Sequence, residues 1–242
     1  MDPYHVSTTR GLGEELGKLL LGIAAKENAT YADFRLVHTR NEHVSIVNDN
    51  PSSEEADNLG GGIRVLYNGT GWGFADTDET DHDSIREATL KAVSLAKGAS
   101  KAGSKVSLAR EPAHVENWDS PVEKDPFAVS TEDKYEVLRE ATIRMKEKDV
   151  VARRGELFFS TMGKYFANSE GSRIYQNLTH SGTLIIVAAK GPGGIQRRSA
   201  QQYMLSGYEL VNQMRLPENA DELTKDVVAL TTAGKCPDGT SD

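Results

Sequence analysis

Cysteine is almost missing from this sequence: the chain of 242 residues contains only Cys236. One cysteine cannot form an internal disulfide, so the sequence is not typical of a small secreted domain held by cross-links. It favours a protein of the reducing cytoplasm, and a cytoplasmic location is the prediction. The glycosylation-like sequences at Asn28, Asn68 and Asn177 are therefore expected to be chance matches.

Long apolar runs and an excess of positive charge are missing as well. The longest apolar run lies around Leu184–Ala189, far short of the roughly 20 residues that a membrane-spanning helix needs. The N-terminus has no basic stretch followed by an apolar one, so no signal peptide is predicted. The formal net charge is −8, and an acidic surface repels phosphate backbones. We therefore expect no membrane insertion and no direct nucleic-acid binding.

The sequence also lacks a complete catalytic or metal-binding motif. No two of its six histidines are spaced as a zinc-binding helix requires, and no His-Glu-x-x-His occurs. His38 and His43 could meet across a tight hairpin, but zinc usually takes a third protein ligand. Cys236 lies in a turn-like tail without a visible histidine partner, which disfavours a nucleophile. No catalytic, cofactor-binding or metal-binding residue is assigned from the sequence.

Glycine, in contrast, is abundant in Gly60–Thr77, "GGGIRVLYNGTGWGFADT". A phosphate-binding loop places its glycines after a strand and before a helix, whereas these follow a polar segment and open a strand. Asn68-Gly69 between two β-rich runs predicts a hairpin, because both turn residues need positive φ. Gly71 and Gly73 would let the second strand lie close to a neighbour.

The acidic run that follows, residues 76–83, superficially resembles a calcium loop. The EF-hand spacing requires glycine at the sixth position, where this sequence has Asp81. Acidic residues also favour the first turn of a helix. The run is therefore interpreted as a solvated helix start, with Ser84 and Glu87 as a capping box and Gly98 as the stop.

Hydrophobic periodicity predicts about four helices and several hairpins. The helices are placed at 9–27, 84–97, 130–147 and 218–233, and the strands at 31–38, 43–48, either side of Asn68-Gly69, 155–161, 164–176, 183–190 and 195–204. Residues 50–59 are predicted to be a loop, Asn168–Gly171 a turn, and 109–129 an extended crossing. The fold class is α+β, with mixed or antiparallel sheets of hairpins packed with helices. The helix-strand-strand order of 9–48 recurs at 130–168, which leaves an internal duplication open.

Two features of the predicted strands could bind a ligand. Arg197-Arg198 with Arg173 could form a basic patch that meets an anionic peptide terminus, although such residues more often lie on a solvated strand face. An exposed edge strand could pair with an extended peptide by strand addition.

Several motifs, in their order along the chain, resemble the N-terminal region of the TldD/PmbA family. They are "YADFRLVHTRNEHVSIVNDN", "GGGIRVLYNGTGWGFADT" and "FANSEGSRIYQ", followed by the tail "ENADELTKDVVALTTAGKCPDGTSD". The linker "WDSPVEKDPFAVSTEDK" is similar to the TldD branch in particular. The resemblance covers nearly all of residues 10–242, which it implies to be one N-terminal domain with a subdivision near 100–130.

The resemblance implies a zinc metallopeptidase, also called a modulator of DNA gyrase, that acts on peptides and unfolded chains. Its zinc site lies in a His-Glu-x-x-x-His helix of a second, β-rich domain, where paired histidines face the metal and the glutamate activates water. This sequence contains no His-Glu dipeptide. The C-terminal zinc-bearing domain is thus expected to be absent from this chain, no zinc is expected to bind, and the chain alone is expected to be inactive.

Two functional hypotheses follow. In the first, the chain is the non-catalytic N-terminal part of a TldD-type peptidase, where it shapes the substrate cavity and contributes contacts to a homodimer or to a heterodimer with a paralogue. In the second, it is a stand-alone module that binds peptides or a partner without cleaving them. A genomic reading frame that continues past codon 242 into His-Glu-x-x-x-His would favour the first hypothesis.

Overall fold

The computed structural model describes residues 6–234 and Gly239, and within that part the chain forms five α-helices, one short 3-10 helix and seven strands. The helices are α1 (Val6–Lys26), α2 (His82–Ala99), α3 (Thr131–Arg144), α4 (Glu209–Gln213) and α5 (Leu216–Leu230), with the 3-10 helix at Pro126–Ala128. The strands are β1 (Ala29–Val47), β2 (Asn50–Tyr67), β3 (Gly71–Thr77), β4 (Val115–Asp119), β5 (Val150–Asn168), β6 (Arg173–Gly191) and β7 (Gly194–Leu205).

The strands form one mixed sheet in the order β3-β2-β1-β5-β6-β4, with β7 also paired to β6. β4 runs parallel to the first part of β6, and β7 runs antiparallel to the rest, from His180 opposite Leu205 to Gly191 opposite Gly194. This confirms the predicted α+β class with hairpins. The order helix, long strand, long strand occurs twice, as α1-β1-β2 and as α3-β5-β6.

The chain divides into two compact units, each with its own hydrophobic core. Within the described residues, unit 1 comprises residues 6–40, 56–120 and 160–178, and unit 2 comprises residues 41–55, 121–159 and those from 179 onward. In unit 1, α1 and α2 cover the strands through buried residues that include Leu16, Leu20, Phe34, Ile63 and Ile85. In unit 2, α3 and α5 do so through residues that include Leu138, Leu157, Val187, Leu216 and Val227. These side chains recur at helical or alternating spacing, which directs them to one face of each element.

The glycine-rich stretch forms the predicted hairpin. Asn68 and Gly69 have φ of 53° and 66° and join β2 to β3. A Cβ at Gly71 or Gly73 would collide with backbone atoms of α2, because that helix lies directly on β3. The predicted close approach is therefore confirmed, and its partner is a helix.

The predicted strands are shorter than the observed ones. Residues 50–59, predicted to be a loop, form the first part of β2, and 31–38 and 43–48 belong to the single strand β1. Likewise 155–161 and 164–168 are one strand, β5. Alternation of polar and apolar residues marks only half-buried strands. The first nine residues of β2 are exposed throughout, so their side chains carry no such signal, although the backbone can still pair.

Some helix ends also differ from the prediction. The N-cap of α2 is Asp81, whose carboxylate accepts hydrogen bonds from the amides of Asp83 and Ser84 at 2.8 and 3.0 Å. The proposed Ser84–Glu87 capping box is therefore wrong, because the helix begins earlier and its first free amides already have an acceptor. The helix runs past Gly98, and α4 was not predicted. None of the helices in the described part is long and apolar enough to cross a membrane.

Candidate functional site

An arginine cluster of unit 1 is centred on Asp33 in β1. Alternation along β1 directs Phe34 and Leu36 into the core and leaves Asp33 and Arg35 on the opposite face of the strand. Arg64 reaches the same carboxylate from the neighbouring strand β2. A polar face of the sheet is thus assembled from residues that lie far apart in the sequence.

The Asp33 carboxylate is fully buried and is shared by the two arginines. Arg35 Nη1 donates to Oδ1 at 2.5 Å, while Arg64 donates to Oδ2 through Nε at 2.8 Å and Nη2 at 2.7 Å. A buried carboxylate needs such partners, because an unpaired buried charge is costly. Burial lowers the pKa of Arg64, but hydrogen bonds and charge from Asp33 more than compensate, and the net shift of the pKa is upward.

Aromatic rings hold both guanidinium groups in place. Arg64 lies 4.9 Å from the ring centre of Trp72, and Arg35 lies 5.0 Å from that of Phe166. Tyr31 contacts Trp72 edge-on at 6.1 Å, and burial, followed by the charge of Asp33, raises the pKa of its hydroxyl. Cation–π contacts and the shared carboxylate together restrict the rotamers of two otherwise mobile side chains.

A second cluster lies in unit 2 around His43. The Nε2 atom of His43 is 3.2 Å from the buried carboxylate of Glu156. The imidazole stacks on the ring of Phe158, with the two ring centres 4.4 Å apart. Phe158 in turn contacts Tyr203 at 5.7 Å. Burial lowers the pKa of His43; the charge of Glu54 opposes this shift in part, and the charge of Arg154 adds a smaller effect in the lowering direction. The imidazole is therefore neutral at neutral pH, which suits a packing role beside two aromatic rings.

Strand β7 is an open edge of unit 2. Among the described strands it pairs only with β6, and nearly all of its residues are exposed. Large apolar side chains lie along it, with Ile195 65% and Tyr203 57% exposed, and Met204 and Leu205 also exposed. An edge of this kind offers unpaired backbone groups to an extended chain.

A shorter edge is present in unit 1 at β4, all five residues of which are exposed. Trp118 and Tyr175 line a shallow depression of about 470 Å³ between β4 and β6. β4 pairs with β6 over only five residues, so it offers a much shorter template than β7.

The predicted basic patch is not formed as proposed. Arg173 opens β6 in unit 1, where its guanidinium donates to the carbonyls of Asn168 and Ser172. Arg197 and Arg198 are exposed on β7 in unit 2, opposite residues near the other end of β6. The local turn after Asn168 therefore occupies Arg173, and only Arg197 and Arg198 lie on a solvated strand face.

Four of the histidines pair with four different carboxylates. His38 and His43 lie on one strand instead of across a hairpin, so the suggested two-histidine site is wrong; His38 pairs with Asp57 at 2.7 Å. His82 and His114 pair with Glu15 and Glu116, respectively. His5 and Cys236 lie outside the described residues.

The described residues do not fit a zinc ion. No group of three or more His, Cys, Asp or Glu side chains within them is arranged to hold a metal. In the acidic run, Asp81 caps α2 as the interpretation of a helix start requires. The His43–Glu156 pair supplies only two side chains that could bind a metal. The guanidinium of Arg154 lies against the Glu156 carboxylate, and its positive charge opposes a cation there.

The Asp33 cluster was missed by the sequence analysis. The alternation in "YADFRLVH" already placed Asp33 and Arg35 on one face of a strand, and this was the available signal. Arg64 could not be added, because its pairing depends on the order and register of β1 and β2. The aromatic residues on both sides come from β3 and β5, which local patterns do not join.

Comparisons with known proteins identify two matching family domains. Residues 32–96 match the PmbA/TldA metallopeptidase domain 1, and residues 124–233 match the PmbA/TldA metallopeptidase central domain. No curated protein sequence matches the chain.

Three solved structures share the fold. A candidate modulator of a DNA gyrase from Thermotoga maritima has a TM-score of 0.71 at 15% identity, over 93% of this chain and 50% of that one. A candidate modulator of DNA gyrase from Bacteroides thetaiotaomicron gives 0.63 at 12%, over 90% and 49%. TldE from Thermococcus kodakarensis gives 0.65 at 14%, over 88% and 47%. The chain spans about half the length of the solved structures it matches.

Proposed function

The chain belongs to the PmbA/TldD metallopeptidase family, and on that premise we propose that it is the N-terminal, non-catalytic part of a TldD-type zinc metallopeptidase. The complete protein would act on peptides or unfolded chains in the cytoplasm. These residues would shape the substrate cavity and contribute contacts to a homodimer or to a heterodimer with a paralogue. Zinc and the bond-breaking step belong, in this proposal, to another part of the protein.

The open edge of β7 is the observation that supports peptide binding. An extended peptide can add to a sheet edge through its backbone, so the sequence of the peptide matters little. This mode suits a protein that receives unfolded chains. The exposed Tyr203, beside Phe158 and His43, would contact apolar side chains of the added strand.

Peptides with selectively methylated backbones test this mode. An apolar extended peptide would be compared with two versions of the same sequence, each N-methylated at alternate residues. In an added strand, only every second residue directs its N–H group toward the edge of the sheet. Methylation of those residues should abolish binding, while methylation of the residues between them should leave binding nearly unchanged. Binding would be measured by calorimetry. Equal loss with both methylated peptides, or no loss with either, would contradict strand addition.

Turnover by the chain itself provides a separate test of the non-catalytic assignment. The chain would be incubated with equimolar zinc and an unfolded protein substrate, and products would be followed by mass spectrometry. No cleavage is expected above that of zinc alone. Turnover that depends on stoichiometric metal would show that the catalytic part lies within these 242 residues.

The second candidate function is a stand-alone binding module, which the same open edge favours. Both functions predict peptide binding, so the genomic reading frame after codon 242 separates them. A frame that continues into His-Glu-x-x-x-His supports the peptidase part, and a stop codon at that point supports the module.

A further inference from the structure

We propose that Arg35 and Arg64 form a binding site for a carboxylate group of a peptide. The proposal rests on the peptide-binding role above and adds to it a cationic site for an anionic group of the peptide. The site consists of the two guanidinium groups on Asp33 and of the aromatic side chains beside them, Trp72 and Phe166.

The charge balance of the cluster favours an anion. One carboxylate, that of Asp33, faces two guanidinium groups, so a positive charge remains uncompensated within the cluster. The chain as a whole carries a formal net charge of −8, which makes this surplus a local exception. The other groups that the structure places against the two guanidiniums are the rings of Phe166 and Trp72 and, at Arg64, the hydroxyl of Tyr31. None of them carries a negative charge at neutral pH, because burial raises the pKa of the Tyr31 hydroxyl.

The donors of the cluster are only partly used. Each guanidinium has five N–H groups. Asp33 contacts one nitrogen of Arg35 and two of Arg64, and Arg64 also has a hydrogen bond with Tyr31, so each guanidinium keeps free donors. The side chains of Arg35 and Arg64 remain 45% and 43% exposed. Because both are held on the same carboxylate, their free donors are presented together, and a planar carboxylate matches such a fork.

The site is also organised before a ligand arrives. Asp33 and the two rings fix the guanidinium groups, so binding costs less side-chain entropy than it would for free surface arginines. Phe74 lies directly opposite Arg64 across β2 and β3 and is 59% exposed. An apolar ring next to the charged group suits a carboxylate attached to an apolar residue better than a highly charged polyanion.

Two kinds of peptide carboxylate could occupy this site, the C-terminal group and an acidic side chain. The probes are therefore an acetylated apolar peptide that ends in phenylalanine, as the free acid and as the amide, together with an amidated peptide that has one internal glutamate. Binding would be measured by calorimetry at low and at physiological salt. The free acid should bind about tenfold more tightly than its amide, and salt should reduce this difference.

Variants assign the effect to the two arginines. Arg35→Gln leaves Asp33 paired with Arg64, and the double variant Asp33→Asn with Arg64→Gln avoids a buried unpaired charge. Both should lose most of the preference for the carboxylate. Arg86→Gln, an exposed arginine of α2 in unit 1, controls for general charge and should keep the preference. Circular dichroism would verify that each variant is folded.

The outcomes separate this site from the proposed function. Equal affinity for acid, amide and glutamate peptides overturns the carboxylate site, even if backbone methylation still blocks binding at β7. A carboxylate preference that Arg35→Gln abolishes supports the site, even if methylation has no effect and strand addition fails. A preference that survives in both arginine variants would falsify the assignment. A stronger effect of the internal glutamate identifies an acidic side chain as the ligand.

Discussion

At the scale of single residues, a buried ion pair in the core of unit 2 carries a high desolvation cost. Lys134 Nζ lies 2.6 Å from Glu42 Oε2, and the two side chains are 1% and 3% exposed. The ammonium also lies 4.9 Å from the ring centre of Phe159. Removing each of the two charges from water costs several kcal/mol. Their mutual attraction and the contact of the ammonium with the Phe159 ring compensate for that cost.

We expect Lys134→Met to lower the free energy of unfolding by about 3 to 5 kcal/mol, because Glu42 would remain buried without a partner. The double variant with Glu42→Leu should recover most of that loss, since it replaces both charges with apolar groups. Urea denaturation would measure both. Arg139→Ala is the control, because its pair with Glu132 is exposed and should contribute about 0 to 1 kcal/mol. A single variant as stable as the parent would contradict the expectation.

At the scale of elements, the packing of α2 on β3 depends on two glycines. The backbone of α2 reaches the strand at Gly71 and Gly73, next to the carbonyls of Ala96 and Ala92. No rotamer change can relieve a clash between a Cβ and backbone atoms, so a larger residue would have to move the helix. The same helix contains Gly98, where an added Cβ would meet no atom within 4 Å.

Gly73→Ala should therefore destabilise the protein by about 3 kcal/mol, the upper part of the usual range for overpacking. Gly98→Ala, in α2, should stabilise the protein by up to about 1 kcal/mol, because alanine has a higher helix propensity than glycine. Thermal and urea unfolding would give both values. If the two substitutions had the same sign, the close contact of α2 with β3 would not be limiting.

At the scale of the whole molecule, charge decides which large partners are compatible. Two of the similar structures are described as candidate modulators of DNA gyrase, but this chain carries a formal net charge of −8 and a pI of about 5.3. A protein binds DNA nonspecifically mainly by neutralising phosphates with basic residues. An interaction with DNA itself is therefore not part of the proposed function.

We expect no binding of duplex DNA at physiological ionic strength, even at protein concentrations of about 100 μM, where basic proteins already bind nonspecifically. Fluorescence anisotropy of a labelled duplex would measure this, with a basic DNA-binding protein as the positive control. Saturable binding that weakens with added salt would mean that a local basic surface outweighs the net charge.

Local patterns determined most of the elements. The four predicted helices exist with shifted ends, and the turns at Asn68-Gly69 and Asn168–Gly171 lie where expected. Periodicity succeeds there because each element has one buried face. It fails for residues 50–58, whose side chains are exposed, and for the start of α2, where Asp81 is the N-cap instead of the predicted Ser84.

The sequence by itself determined the class of fold, the family resemblance and the acidic character of the surface, because these follow from composition and from short local patterns. Only the tertiary structure decided that Arg64 joins Asp33 and Arg35, that His38 and His43 do not meet, and that β7 is an open edge. Each of these depends on which strands pair and in what register, and hydrogen bonds between distant segments set that pairing.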